Sequence, residues 1–381
     1  MAGFQPASDI FVVEGTSGND GGIAELMNLM REHGLLFYES PVAGWNKGPA
    51  GLIAKDDVVI VKANSQWDER GGTNTDLLKA LIQALVDHPD GFIGEVIVAD
   101  NGQAQYGSAG DGGSLAWSRN NAEDTSQSVH RVVDSFAGSH RVSAYLWDRI
   151  TAKRVNEYSE GDVEDGYVVD GTVDPRTGVM VSYPKFKTRF RTYVSFKLGI
   201  WEPERRAYDD GRLKVLNVPV LKSHSIFGVT ACVKHYMGVV SDQLTSRLGA
   251  GSHRAVGTGG MGTEMVETRF PVLNILDAIW VNAFPGGGPR TPYDRATRVN
   301  VVAASTDPVA LDYWAAKHVL LQAARMRGYG GVSSMDPDNR ASGSFGDWLR
   351  LSIQEIRRAG FQATVDEAYM NVYVAHFRPT L

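Results

Sequence analysis

LKVLNVPVLKSHSIFGVTACVKHYMGVV, residues 213–240, is the stretch on which the reading of this chain turns. Leu213 to Leu221 is dense in Val and Leu and short enough for a strand. Pro219 has no N–H to give a sheet ladder, so it predicts a strand end or an edge close by. Lys222, Ser223 and His224 then leave the sheet. From Phe227 the spacing of Val229, Cys232, Val233, Tyr236 and Val240 predicts a helix with one apolar face. Lys234 falls well off that face, among small residues that leave room for something to approach it. Taken alone, it reads as a solvated lysine on a surface helix. What shifts the reading is position: polar residues just past a buried strand stand where open α/β sheets bind ligands.

Working outward, Asp9–Glu14 reads as a first strand and Gly21–Met30 as a helix. Val58–Val61 is a continuous apolar run, as expected of a strand covered on both faces in a parallel sheet. It ends in Lys62, Ala63, Asn64. A helix beginning at Asp76 follows, with Thr73 or Thr75 as its expected cap. A capped helix start beside Lys62 is a reasonable anion site, because free N–H groups and the helix dipole both favour negative charge. The plain alternative is a strand–loop–helix unit with a surface lysine. Glu95–Ala99 is another buried-type strand, ending in Asp100, Asn101, Gly102. The glycine-rich run QAQYGSAGDGGS matches neither a phosphate loop nor a dinucleotide fingerprint, and reads as a mobile or tightly turned loop.

Ser126–Val155 reads as two helices around Gly138. Val155–Arg212 alternates in the manner of an antiparallel β region. After the anchor stretch, SDQLTSRLGAGSHRAVGTGGMGTE reads as a long glycine-rich loop that carries His253. Val272–Leu276 is a strand ending in Asp277, and Val299–Ala304 is the last buried-type strand. Asp307 or Thr306 caps the next helix, with Pro308 at its start. The expected fold is α/β, a mostly parallel central sheet with flanking helices and an inserted antiparallel β lobe. Residues 1–102 and 213–381 form the core, and 103–212 the inserted helical and antiparallel lobe or lid.

The composition excludes several functions. The 381 residues are 43% hydrophobic and 22% charged, with a formal net charge of −6, so a basic footprint for nucleic acid is missing. No segment reaches the length of a membrane span, and the first residues lack a basic run followed by an apolar one. The reading is a soluble, cytoplasmic chain. The single cysteine, Cys232, permits no internal disulfide and no cysteine-held zinc or iron–sulfur site. It reads as packing.

The pattern PxLKSH…VTACVKHYMG resembles the DUF362 family (domain of unknown function). Its members carry P-x-L-K-x-H followed by a K-N-x-x-G helix. Pro219, Lys222, His224, Lys234 and Gly238 match, while His235 stands where the family has Asn. The family's K-x-N strand end and following threonine fit Lys62, Asn64 and Thr73. Its I-V-D-A-I-like element resembles LNILDAI, and its D-P-V-A-x-D element fits Asp307 and Asp312. Relatives have a histidine near position 253. Many relatives also carry ferredoxin-type cysteine clusters and some an export signal; this sequence lacks the clusters, which weakens a redox role.

If the strands are neighbours, Lys62 and Asn64, Asp100 and Asn101, Lys222 and His224, and Asp277 end around one crevice, which Lys234 and His253 close. Lysines gathered in an acidic protein favour a carboxylate or phosphate ligand. The expected function is an enzyme, leaning to lyase or isomerase chemistry, with Lys222, His224 and Lys234 as acid–base groups. Lys62, Asn64, Thr73, Asp100, Asn101, His253 and Asp277 would bind the small anionic substrate. The alternative is a non-catalytic anion- or metallocofactor-binding accessory protein. A metal through His224, His253 and an aspartate stays open, without a His-rich spacing to support it. The cofactor, if any, and homo-oligomerisation stay open as well.

Overall fold

The computed structural model describes residues 7–103 and 112–378. Most of the glycine-rich run after Gly102 therefore lies outside the described residues. The fold is α/β. Its main sheet runs, edge to edge, through Met370–His376, Ser8–Glu14, Thr297–Ser305, Leu273–Asn282, Leu213–Val218, Val58–Ala63, Glu95–Asp100 and Val142–Leu146. Thr297–Ser305 runs antiparallel to both neighbours, and the other pairings along this path are parallel. A separate sheet of five antiparallel strands is built from residues 166–209.

The apolar runs read from sequence are central strands, and their period of two sorts the core into two layers. Val58, Ile60, Ile97 and Val215 face one layer. Val59, Val61, Val96, Val98 and Leu216 face the other. On the second face lie the helices Gly22–Glu32, Thr75–Val86 and Val129–Phe136. On the first lie the antiparallel sheet, through Tyr167, Val181 and Phe186, and the helices Pro308–Ala315 and Phe345–Arg358. Burial on both faces is why the central strands show no polar alternation.

Four local expectations are corrected. The segment after Gly138 is not a second helix: Val142–Leu146 pairs with Glu95–Asp100 as the edge strand. The helix expected from Phe227 is instead a hairpin, Val220–His224 against Gly228–Thr230, followed by a single 3-10 turn at Lys234–Gly238. Its apolar residues are buried from all sides, so a helical spacing carried no information about one face. The glycine-rich segment with His253 is mostly helical, at Asp242–Arg247, Ser252–Ala255 and Gly260–Glu267. There the glycines serve close packing: a Cβ on Gly262 would stand 2.7 Å from the Ser352 carbonyl oxygen of a neighbouring helix. Finally, the helix Thr75–Val86 is capped by Asn74, whose side chain accepts from Asp76 and Leu77 N–H, and not by either threonine. The Asp307 cap before Pro308 is as expected.

The break that matters for function is at Pro219. Leu213–Val218 pairs with Val58–Ala63, whereas Val220–His224 moves off to pair with the far half of Leu273–Asn282. Side chains stitch the break. Thr73 Oγ1 donates to the Val218 carbonyl (2.8 Å), and Asn64 Oδ1 accepts from Val220 N–H (2.9 Å). Asn64 N–H donates to Thr73 Oγ1 (2.7 Å). Sliding one strand aside opens a gap at the carboxyl end of the sheet, and the candidate site lies there.

Candidate functional site

Period two along Val220–His224 turns Lys222 and His224 to one side and Ser223 to the other. Lys222 and His224 line a cavity of about 270 Å³, together with Thr230 across the hairpin and Lys234 and His235 from the turn. His253 and Pro289 close it. The turn is fixed from a distant helix: the Asp312 carboxylate accepts Cys232 N–H (2.6 Å) and Val233 N–H (2.9 Å). The carboxylate therefore sits on the free donors just ahead of Lys234.

The three lysines predicted to converge are in different states. Lys62 is fully buried and paired with Asp100 (2.7 Å), whose other oxygen accepts Ser65 N–H (2.7 Å) and Oγ (3.1 Å). Gly238 closes over this pair: a Cβ there would stand 2.4 Å from Lys62 Nζ. Lys222 has no carboxylate partner among the described residues and donates to the Gly71 carbonyl oxygen. Burial and then the neighbouring Lys234 ammonium lower its pKa to about 7. Lys234 makes no hydrogen bond or ion pair with its side chain among the described residues; its ammonium stands 5.3 Å from the centre of the Phe227 ring. Burial lowers its pKa to about 7 as well.

His224 Nδ1 accepts from Ile226 N–H (3.1 Å) and Phe227 N–H (3.2 Å), which caps the hairpin turn. The neutral ring then carries its proton on Nε2. Burial, with Lys234, His253 and Lys222 nearby, holds its pKa down to about 2. At neutral pH the ring is an N–H donor. His253 N–H donates to Asp242 Oδ1 (2.8 Å), and its Nδ1 lies 3.7 Å from Asp242 Oδ2. His235 Nδ1 lies 2.7 Å from Asn217 Oδ1; the Asn217 amide donates to Cys232 O (3.1 Å) and Asn274 Oδ1 (2.8 Å). With both amide hydrogens used, Asn217 accepts, so the His235 proton sits on Nδ1.

The remaining predicted site residues divide. Asn64, Asp100 and Asn101 line the cavity, but the Asp100 carboxylate and the Asn101 amide hold protein groups, the amide reaching Thr151, Tyr167 and Val240, and Asn64 gives its Oδ1 to Val220 N–H. Thr73 and Asp277 do not line it. Asp277 Oδ2 accepts Asn74 N–H (2.8 Å) at the start of the Thr75–Val86 helix, so a resident carboxylate fills the anion site expected there. Burial raises the Asp277 pKa to about 6. Sequence reasoning missed Thr230, whose buried hydroxyl has no hydrogen-bond partner among the described residues, and the anchoring role of Asp312. Reading residues 220–230 as a hairpin would have found Thr230, because it pairs opposite Lys222. Nothing local to Asp312 points to its partner 80 residues away.

Fold and cavity together define an α/β protein with a lysine- and histidine-lined pocket at the carboxyl end of a mostly parallel sheet. Residues 213–317 match the family described as domain of unknown function (DUF362). No curated protein and no solved structure matches the chain. Among the described residues no helix is long and apolar enough to cross a membrane, and no group of three or more His, Cys, Asp or Glu is placed to hold a metal ion.

Proposed function

We propose that this chain is an enzyme that uses Lys222 and Lys234 for acid–base chemistry on a small carboxylate or phosphate, of lyase or isomerase type. The observation that carries the reading is that two buried lysines without a carboxylate partner among the described residues share the wall of one cavity. Buried ammonium groups are costly unless paired, so an anion is the missing partner. Amines with pKa values of about 7 also hold and release protons at neutral pH. His224 is assigned here as an N–H donor to the anion, not as the proton shuttle. A cavity of about 270 Å³ suits a molecule of a few carbons.

Native mass spectrometry of the purified chain, with elemental analysis, identifies what it retains. Turnover of that compound is then followed in the wild type and in Lys222→Met and Lys234→Met. Loss of turnover in both variants with the fold intact is the expected result. A retained compound that is never transformed would move the reading to an anion-binding accessory protein.

A further inference from the structure

Among the described residues four lysines are deeply buried, and their partners separate them. Lys62 is paired with Asp100, and Lys185 with Asp162 (3.2 Å). Lys222 donates to the Gly71 carbonyl oxygen. Lys234 alone among them has no side-chain hydrogen bond or ion pair within the described residues. It faces the same cavity as Lys222 and lies over an aromatic ring rather than beside an acid. We propose that Lys234 is a nucleophilic amine that forms an imine with the carbonyl carbon of a small 2-oxo acid, whose carboxylate is held by Lys222 and by the Nε2–H of His224. This deepens, and rests on, the anionic-substrate reading.

The two lysines have different roles because their surroundings differ. A carbonyl oxygen against Lys222 favours its charged form, which keeps that amine the cation. A lysine desolvated and without an acceptor or acid beside it is the one that stays neutral and nucleophilic. The lowered pKa of Lys234 agrees with this. The two amines titrate as a pair, so the assignment rests on the contacts and not on either value. In the reaction the Nζ lone pair attacks the carbonyl carbon and the carbonyl π pair moves to oxygen. One N–H proton reaches that oxygen, giving a carbinolamine. A second proton from nitrogen goes to the hydroxyl, which leaves as water while the C=N bond forms. No oxidant is needed. The Thr230 hydroxyl, on the cavity wall and without a partner among the described residues, is placed to relay these protons.

The test incubates the full chain with pyruvate or glyoxylate and sodium cyanoborohydride, then locates any reduced adduct by peptide mass mapping. L-lactate, which has no carbonyl, serves as the control, and thermal shifts with pyruvate, lactate and phosphate are measured in parallel. The expected result is one adduct, on Lys234, reduced about tenfold or more in Lys234→Met, in keeping with loss of the nucleophile. Mapping in the wild type decides the matter even if that variant does not fold. Adducts on Lys222, adducts spread evenly over exposed lysines, or no adduct would overturn the proposal. If lactate and phosphate stabilise the chain but no adduct forms, only the imine falls. If no anion stabilises it, the anionic-substrate reading falls too.

Discussion

At the scale of single residues, the site shows how one residue type takes several roles. Lys62 was grouped with Lys222 and Lys234 from sequence, yet its charge is neutralised by Asp100 and sealed by Gly238. It is half of a buried structural pair and does not itself line the cavity. Asp100→Ala therefore leaves an uncompensated buried ammonium and is expected to cost about 3–5 kcal/mol in urea unfolding. Adding Lys62→Met should recover much of that loss. If the single variant were as stable as wild type, the pair would not be the structural element described here. Gly238→Ala drives a methyl group against both partners and is expected to lose roughly 1–3 kcal/mol. That Lys222 and His224 share a side was legible, because residues two apart on a strand face the same way. The orphan hydroxyl of Thr230 was not, because it depends on which strand lies opposite.

At the scale of elements, the misread pieces share a cause. A helical or looped reading of residues 227–267 came from apolar spacing and glycine content, and both were set by close packing. Gly262→Ala is expected to destabilise by about 1–3 kcal/mol, since the new methyl meets the backbone of the Phe345–Arg358 helix. Gly257→Ala, with open space at its Cβ, should be neutral or slightly stabilising by chemical denaturation. Equal effects at both positions would rule out the packing explanation. Asp312 links two elements distant in sequence. Asp312→Ala leaves the Cys232 and Val233 N–H groups without their acceptor, at about 1–3 kcal/mol for each. It should also weaken stabilisation by added anions, read as a smaller thermal shift, because the turn bearing Lys234 loses its anchor.

At the scale of the whole molecule, buried ionisable groups set the pH dependence of stability. Lys222 and Lys234 have folded pKa values of about 7 against an ordinary 10.5. Between those values the unfolded chain binds two more protons than the folded one, so stability rises with pH there and is lost as pH falls toward 7. In buffer without small anions, the melting temperature should climb from pH 7 to pH 9. Above about pH 8.5 the unfolded Cys232 thiol ionises while burial keeps the folded one protonated, which opposes the climb with one proton against two. Replacing both lysines by Met should flatten the climb. On the acid side the raised carboxyls of Asp57, Asp277, Asp307 and Asp312 favour lower pH, and the lowered His88, His224 and His235 offset them. A bound anion would stabilise the protonated lysines and shrink the alkaline climb.

The sequence by itself determined the α/β class, the central strands and the strand end that bears Lys222 and His224. Unbroken apolar runs followed by polar residues require a sheet covered on both faces with those polar residues at its strand ends. Only the tertiary structure decided which of the gathered groups are occupied. Whether a buried lysine is neutralised, as Lys62 is, or left without a partner, as Lys234 is within the described residues, depends on a carboxylate contributed by another strand. That pairing is made across the fold, where the order of residues along the chain carries no signal.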